Sequence, residues 1–263
     1  KGNVGLISQA GVYAAGILAG LRNILDFGIV ATIVNKMDIS ETDFLEYMGQ
    51  DSTIDVIAMY MEDVSSGKRF ADVAGGVSGR KPVIVLKTGR TEAGKKAVSS
   101  HTASLAGNDE INNAAFRQCG VIRARDNEHL FSLMRGFSKQ PLPKGPGVMV
   151  VTYTGSLGVA ATDMLYSNGL KLSEFDPELK EQLAALMPDY LNNQNPVDCS
   201  FSMTPEQVRT ILEMGTRSSS VQSFMVIIPG EKLCDFVDVK KDLDYRGKPV
   251  VCCVACKIGR AHV

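Results

Sequence analysis

The sequence has no surplus of either charge: 28 lysines and arginines stand against 29 aspartates and glutamates. No basic block or acidic tail breaks that balance, so neither nucleic acid nor an anionic membrane surface is expected as a partner. No apolar run approaches the roughly 18 residues that span a bilayer. The first residues also lack the basic, apolar, small-residue order of a secretory leader. A cytoplasmic protein is the expectation. The six cysteines do not form a disulfide framework: Cys119, Cys199 and Cys234 stand apart, and Cys252, Cys253 and Cys256 share the apolar run KPVVCCVAC. Cys253 and Cys256 make a CxxC, but with only His262 nearby no zinc set is completed. Buried strand thiols are expected there, and no metal site. Histidine is scarce, with three in 263 residues.

What is present is an apolar fraction of 44%, ample for the cores of one or two domains. Short apolar runs alternate with helix-period segments, as in a parallel sheet covered on both faces. The expected strands are Val4 to Ile7, Ile29 to Val34, Val56 to Met61, Val83 to Leu86 and Val121 to Ile122. Helices are expected after Gly11, at Ser40 with Asp43 completing an approximate capping box, near Ser66, after Gly107, and from Asp126 to Ser138. KQPLPKGPG follows, with the chemistry of a linker. A second unit starts at Gly147, with helices through DPELKEQLAALM and from Pro205, and strands at Phe224 to Ile228 and Val250 to Val254; NNQNPVDCS reads as a turn. The expected architecture is two flavodoxin-like α/β domains with parallel sheets, 1–140 and 145–263. The opening Lys1 and the closing KIGRAHV suggest an excised piece, with the second domain truncated.

The two units open alike. NVGLISQAGVYAAGIL and GVMVVTYTGSLGVAAT are each an apolar strand, a polar tip, a glycine and a small-residue helix, with Gly11 and Gly155 in matching places. Such a turn aims main-chain N–H groups and a helix dipole at one spot, which suits phosphate. The candidates are Ser8, Gln9, Ala10 and Gly11 in the first copy, and Thr152, Thr154, Gly155, Ser156 and Gly158 in the second. Neither is a GxGxxG or a Walker loop, so each also reads as an ordinary tight turn.

His101 lies in AVSSHTASLAGNDE, where Ser99, Ser100, Thr102, Ala103 and Ser104 show neither helical nor strand periodicity; a loop is expected. A loop histidine is a solvated residue, a metal ligand or a catalytic group. No ligand partners stand at metal spacing, and GSLG at Gly155 to Gly158 lacks the GxSxG of a nucleophile elbow. A phosphorylated histidine needs a neutral ring nitrogen, donors for the phosphoryl oxygens and a carboxylate on its other nitrogen. Glu62, ending the run DVIAMYME, stands where a parallel sheet places functional groups, although a solvated strand-end acid would look the same.

VGLISQAG, VNKMDISETDFLEYM, MYMEDVSSGKRF, PVIVLKTGRTEAGKKAVSSHTASLAG and NPVD occur in that order. In these segments the chain resembles the nucleoside-diphosphate-forming acyl-CoA synthetases, relatives of succinyl-CoA synthetase and ATP-citrate lyase, over nearly its whole length. The resemblance implies that His101 takes phosphate from an acyl phosphate and passes it to a nucleoside diphosphate. It makes Glu62 the carboxylate that orients the imidazole, and makes the helices after Gly11 and Gly155 the two that face the phosphohistidine. It further implies CoA, ATP or ADP, and Mg2+ in the intact enzyme, none held tightly by this piece. A CoA-binding Rossmann domain, an ATP-grasp domain or subunit, a small carboxylic acid and an oligomer complete the implied partners. Three departures stand out: Ala10 where the family has serine, Ala103 where it has glycine, and a second loop, TGSLG, poorer in glycine than usual. Alanine reaches positive φ less freely than glycine, so a stiffer or differently bent histidine loop is expected. Two rival readings are a CoA- or acyl-CoA-sensing regulatory module of an acyltransferase-fused relative, and a non-catalytic anion-binding domain. The presence of both His101 and Glu62 speaks against the first of these, because a binding module needs no nucleophile.

Overall fold

The computed structural model describes residues 2–36, 38–102, 107–232 and 243–255, and of His101 and Thr102 the helical backbone alone. The chain divides into two compact units, Lys1–Lys139 and Gln140–Val263. In the first, β1 (Val4–Ser8), β2 (Phe27–Thr32), β3 (Val56–Met61), β4 (Val83–Lys87) and β5 (Ile122–Arg123) form a parallel sheet in the order β2-β1-β3-β4-β5. Every residue of β1 and β4 is buried, which is why these strands read as unbroken apolar runs.

Side chains alternate between the two faces of this sheet. Val4 and Leu6, with Val56 and Ala58, pack under α1 (Gly11–Leu21) and α6 (Asn127–Lys139) through Ala14, Ile17, Leu130 and Met134. Ile7, Ile57 and Met59 point the other way, to α2 (Glu41–Gln50), α3 (Gly67–Ser78) and α5 (Asp109–Gln118), meeting Leu45, Phe70 and Phe116. The Asp43 carboxylate accepts the Ser40 N–H at 2.7 Å, as a capping pair should. The 2-1-3-4-5 order reverses direction between β1 and β3, so a crevice opens where their carboxyl ends part.

The loop expected around His101 is corrected: α4 runs Glu92–Thr102 and carries His101 in its last turn. Its apolar period is invisible because Val98 alone among its described side chains is fully buried. Thr91 Oγ1 accepts the Gly94 N–H at 3.0 Å to start it. Ser99 and Ser100 donate back to the carbonyls of Lys96 and Ala97 at 3.0 and 2.8 Å, so these serines ride on the helix rather than end it. Ala103 and Ser104 lie outside the described residues, as do Cys234, Cys256 and His262.

The second unit contains β6 (Gly147–Thr152), α7 (Gly155–Ser167), β7 (Lys171–Leu172), α8 (Pro177–Leu186), β8 (Val197–Asp198), α9 (Pro205–Arg217), β9 (Ser223–Pro229) and β10 (Val250–Ala255). Its parallel sheet runs β10-β9-β6-β7, and β8 pairs with β6 beyond the end of β7. The cysteines of β10 correct another expectation. Cys252 and Cys253 lie in a strand but are exposed; among the described residues β10 pairs with β9 alone and stands at the edge of the sheet.

NNQNPVDCS is more than a turn. Between the two short strands β7 and β8, the Asn195 side chain stands in for a strand residue: Oδ1 accepts the Val150 N–H at 2.9 Å, and Nδ2 donates to the carbonyls of Val148 and Ser173 at 2.8 and 3.1 Å. Asn195→Ala orphans the Val150 N–H of a buried strand, while the Val148 carbonyl keeps its bond from the Ser173 N–H. The expected loss is at least about 1–3 kcal/mol, the cost of one unsatisfied buried polar group. It should appear as a lower urea midpoint; an unchanged midpoint would show that water replaces the amide.

Candidate active site

Glu62 follows β3 at the crevice and is 5% exposed. Its position is set through its main chain. The Glu62 N–H donates to Gln9 Oε1 at 2.8 Å, the Asp63 N–H donates to the same oxygen at 3.1 Å, and Gln9 Nε2 donates to Asp63 Oδ1 at 2.6 Å. On the opposite side the Glu62 carbonyl accepts from Lys87 Nζ at 2.5 Å; Lys87 also donates to the Thr88 carbonyl at 2.7 Å. Burial, then the charge of Arg123, holds the Lys87 ammonium below its ordinary pKa. Asp63 is fastened by Lys36, which also pairs with Glu41 at 2.9 Å.

The side chain of Glu62 meets an aromatic pair. Tyr60 Oη lies 3.5 Å from Glu62 Oε1, and the ring of Tyr13, from the first turn of α1, stacks on Tyr60 with centroids 4.0 Å apart. Burial, with the neighbouring Tyr60, pushes the Tyr13 phenol up to about 12; burial raises Tyr60 as well. A cleft of about 560 Å³ is lined by Tyr60, Glu62 and Thr88 on the sheet side and by Ala97, Val98 and Ser100 of α4. Glu62 and the helix that carries His101 therefore share one cleft at the carboxyl edge of the sheet. The His101 side chain lies outside the described residues, and with it the expected carboxylate–imidazole contact.

The expected phosphate residues sort themselves by what their polar groups already do. The Ser8 hydroxyl donates to the Ala10 carbonyl at 2.7 Å and accepts the Ala10 N–H at 3.2 Å. Thr152 repeats this with Thr154, at 2.9 and 3.1 Å. The internal repeat thus extends to individual hydrogen bonds. It also uses up the side chains of Ser8, Gln9 and Thr152 inside the fold. What the turns present is main chain: the first helical bond of α1 is Ala14 N–H to Ala10 C=O, so the N–H groups of Gly11, Val12 and Tyr13 precede it. In the second unit Gly158 N–H bonds to Thr154 C=O, behind the N–H groups of Gly155 and Ser156. A Cβ on Gly158 would come within 3.2 Å of Pro196 and Thr152, so this glycine serves close packing.

Sequence reasoning missed three participants. Lys87 ends an apolar strand, where a lysine looks solvated. Tyr60 looks like one more strand aromatic. Asp198 belongs to NPVD, yet only the fold brings its Oδ2 to 3.2 Å from where a Gly155 Cβ would stand, beside the first turn of α7. Among the described residues no group of three or more His, Cys, Asp or Glu is placed to hold a metal ion, and no helix is long and apolar enough to cross a membrane.

Both units are similar to known proteins. The succinyl-CoA ligase like flavodoxin domain matches residues 1–137, and the ligase-CoA domain matches residues 148–233. Acetate–CoA ligase (ADP-forming) II of Archaeoglobus fulgidus is 34% identical over 97% of the chain and 39% of its own length. The ADP-forming acetate–CoA ligase of Methanocaldococcus jannaschii is 43% identical over 78% of the chain and 29% of its own length. A solved structure of dinucleotide forming acetyl-coenzyme A synthetase 1 from Ca. Korarchaeum cryptofilum, in complex with phosphate and ADP, superposes with a TM-score of 0.87 at 30% identity, covering 97% of this chain and 57% of that one. The chain spans less than two thirds of each of these relatives. Of the two domain matches, the first spans nearly the whole of the first unit and the second lies within the other unit; the chain belongs to the succinyl-CoA ligase-like family, among the ADP-forming acyl-CoA synthetases.

Proposed function

We propose that this chain is the phosphoryl-carrying portion of an NDP-forming acyl-CoA synthetase, which converts acyl-CoA, phosphate and ADP reversibly into a carboxylic acid, CoA and ATP. The observation that carries the reading is the shared cleft: Glu62 and α4, the helix of His101, line it together at the carboxyl edge of the first sheet. Glu62 accepts the Nδ1 proton of His101 and leaves Nε2 with its lone pair. Nε2 attacks the phosphorus of an acyl phosphate; the N–P bond forms as the bond from phosphorus to the acyl oxygen breaks, and the carboxylate leaves. The phosphoryl group then passes from Nε2 to the terminal phosphate oxygen of ADP. While it resides on His101 its charge approaches −2, and the N-terminal turn of α1 stabilises it by ~0.3–1 kcal/mol, more where water is excluded.

CoA and the nucleotide with its Mg2+ are assigned to a Rossmann-type domain and an ATP-grasp domain or subunit, and the assembly to a cytoplasmic oligomer. The relatives, ADP-forming acetate–CoA ligases, support a small acid as substrate and ADP as the nucleotide. The test is ATP synthesis by the full-length protein from acetyl-CoA, phosphate and ADP, which should proceed through an acid-labile, base-stable phosphoprotein. ATP synthesis without such an intermediate would overturn the reading. The 263 residues alone should form no ATP in the same assay, and turnover by them would show that the other domains are not needed.

A further inference from the structure

The direction of the Glu62 side chain is set by its neighbours more than by its own strand. Its N–H is held by Gln9 and its carbonyl by Lys87, from the ends of the two strands that flank β3. Both clamping side chains are buried, Gln9 at 3% and Lys87 at 2% exposure. An ammonium is an expensive way to satisfy two carbonyls in such a place, since a neutral donor or an apolar side chain with a repacked turn costs less desolvation. A point charge with short bonds to the carbonyls of Glu62 and Thr88, at the ends of two neighbouring strands, does something a neutral donor does less well: it ties the Glu62–Asp63 peptide to the end of β4 against rotation. We propose that Lys87 is a positioning residue for Glu62, holding the peptide that carries the carboxylate so that the carboxylate meets the imidazole in line. The chemistry rests on the phosphohistidine reading; the geometry rests on the bonds just given.

The experiment uses the full-length protein. Lys87→Met removes the ammonium but keeps most of the side-chain volume. Single-turnover phosphorylation of His101 from ATP should slow about 10²-fold, the loss expected of a displacement near 1 Å. KM for ATP should not change. Combined with Glu62→Gln, the two effects should not multiply, and the double variant should be no slower than Glu62→Gln alone. Wild-type rates in Lys87→Met, or effects that multiply, would overturn the proposal. Should Lys87→Met not fold, Lys87→Gln, which keeps an N–H donor without the charge, goes through the same cycle with the same criterion. A crystal structure of the variant separates this proposal from the reading beneath it. If the wild type carries no phosphate on His101, the phosphohistidine reading fails, while a shift of Glu62 by about an ångström still supports the clamp and an unmoved Glu62 refutes it.

Discussion

His101→Ala is expected to abolish labelling of the full-length protein by ATP and magnesium, while the wild type should yield a phosphoprotein stable in base and labile in acid. The expected loss is complete because neither serine that precedes His101 on α4 can take over the role. The hydroxyls of Ser99 and Ser100 are occupied with carbonyls of α4, and they lack a ring nitrogen that is nucleophilic at neutral pH. Equal labelling of mutant and wild type would move the phosphorylated residue elsewhere and end the mechanism given above. The mutant should melt within a degree or two of the wild type, since the buried Val98 anchors α4.

Glu62→Gln is expected to slow the same reaction by roughly 10²- to 10⁴-fold, in line with the effect of replacing the carboxylate of a hydrolytic triad by an amide. Glutamine keeps the volume and the main-chain clamp. Its amide N–H, however, can donate to the ring and hold the tautomer whose Nε2 carries the proton. Pre-steady-state quench-flow gives the rate directly. A change smaller than threefold would mean that Glu62 only fills the end of β3, and that another group, or water, sets the tautomer.

The parallel sheets were legible because central strands with both faces covered leave apolar runs that few other structures produce, as β1 and β4 do. The carboxyl-edge location of Glu62 followed from the same runs. α4 was not legible: a surface helix with one fully buried side chain has almost no period to detect, and its serines are residues that usually end helices. The strands β7 and β8 have two residues each, too short for any alternation to show. Cys252 and Cys253 look like core residues by composition, and only sheet order reveals that β10 stands at an edge among the described residues. At the site, residue type was a poor guide to role. Ser8 and Gln9 look like phosphate ligands, yet their polar atoms build the turn; Lys87 looks like a surface residue, yet it braces Glu62 from within.

The Asn195 bridge gives the second unit an unusual seam. Along one edge of β6, two short strands are joined by a side-chain amide, where a ladder would have been continuous. A ladder opens by breaking several pairs in succession, whereas this seam opens when one residue swings away. The Val150 amide should therefore exchange with solvent through a local event of low free energy while Val148 and Val151 on either side stay protected. Asp198 lies three residues beyond the bridge on the same segment, beside the first turn of α7. Asp198 has its own ties, since its N–H donates to the Asn192 carbonyl and the Cys199 N–H to that of Thr152, so the carboxylate should stay beside that helix end while the Asn195 amide opens and closes.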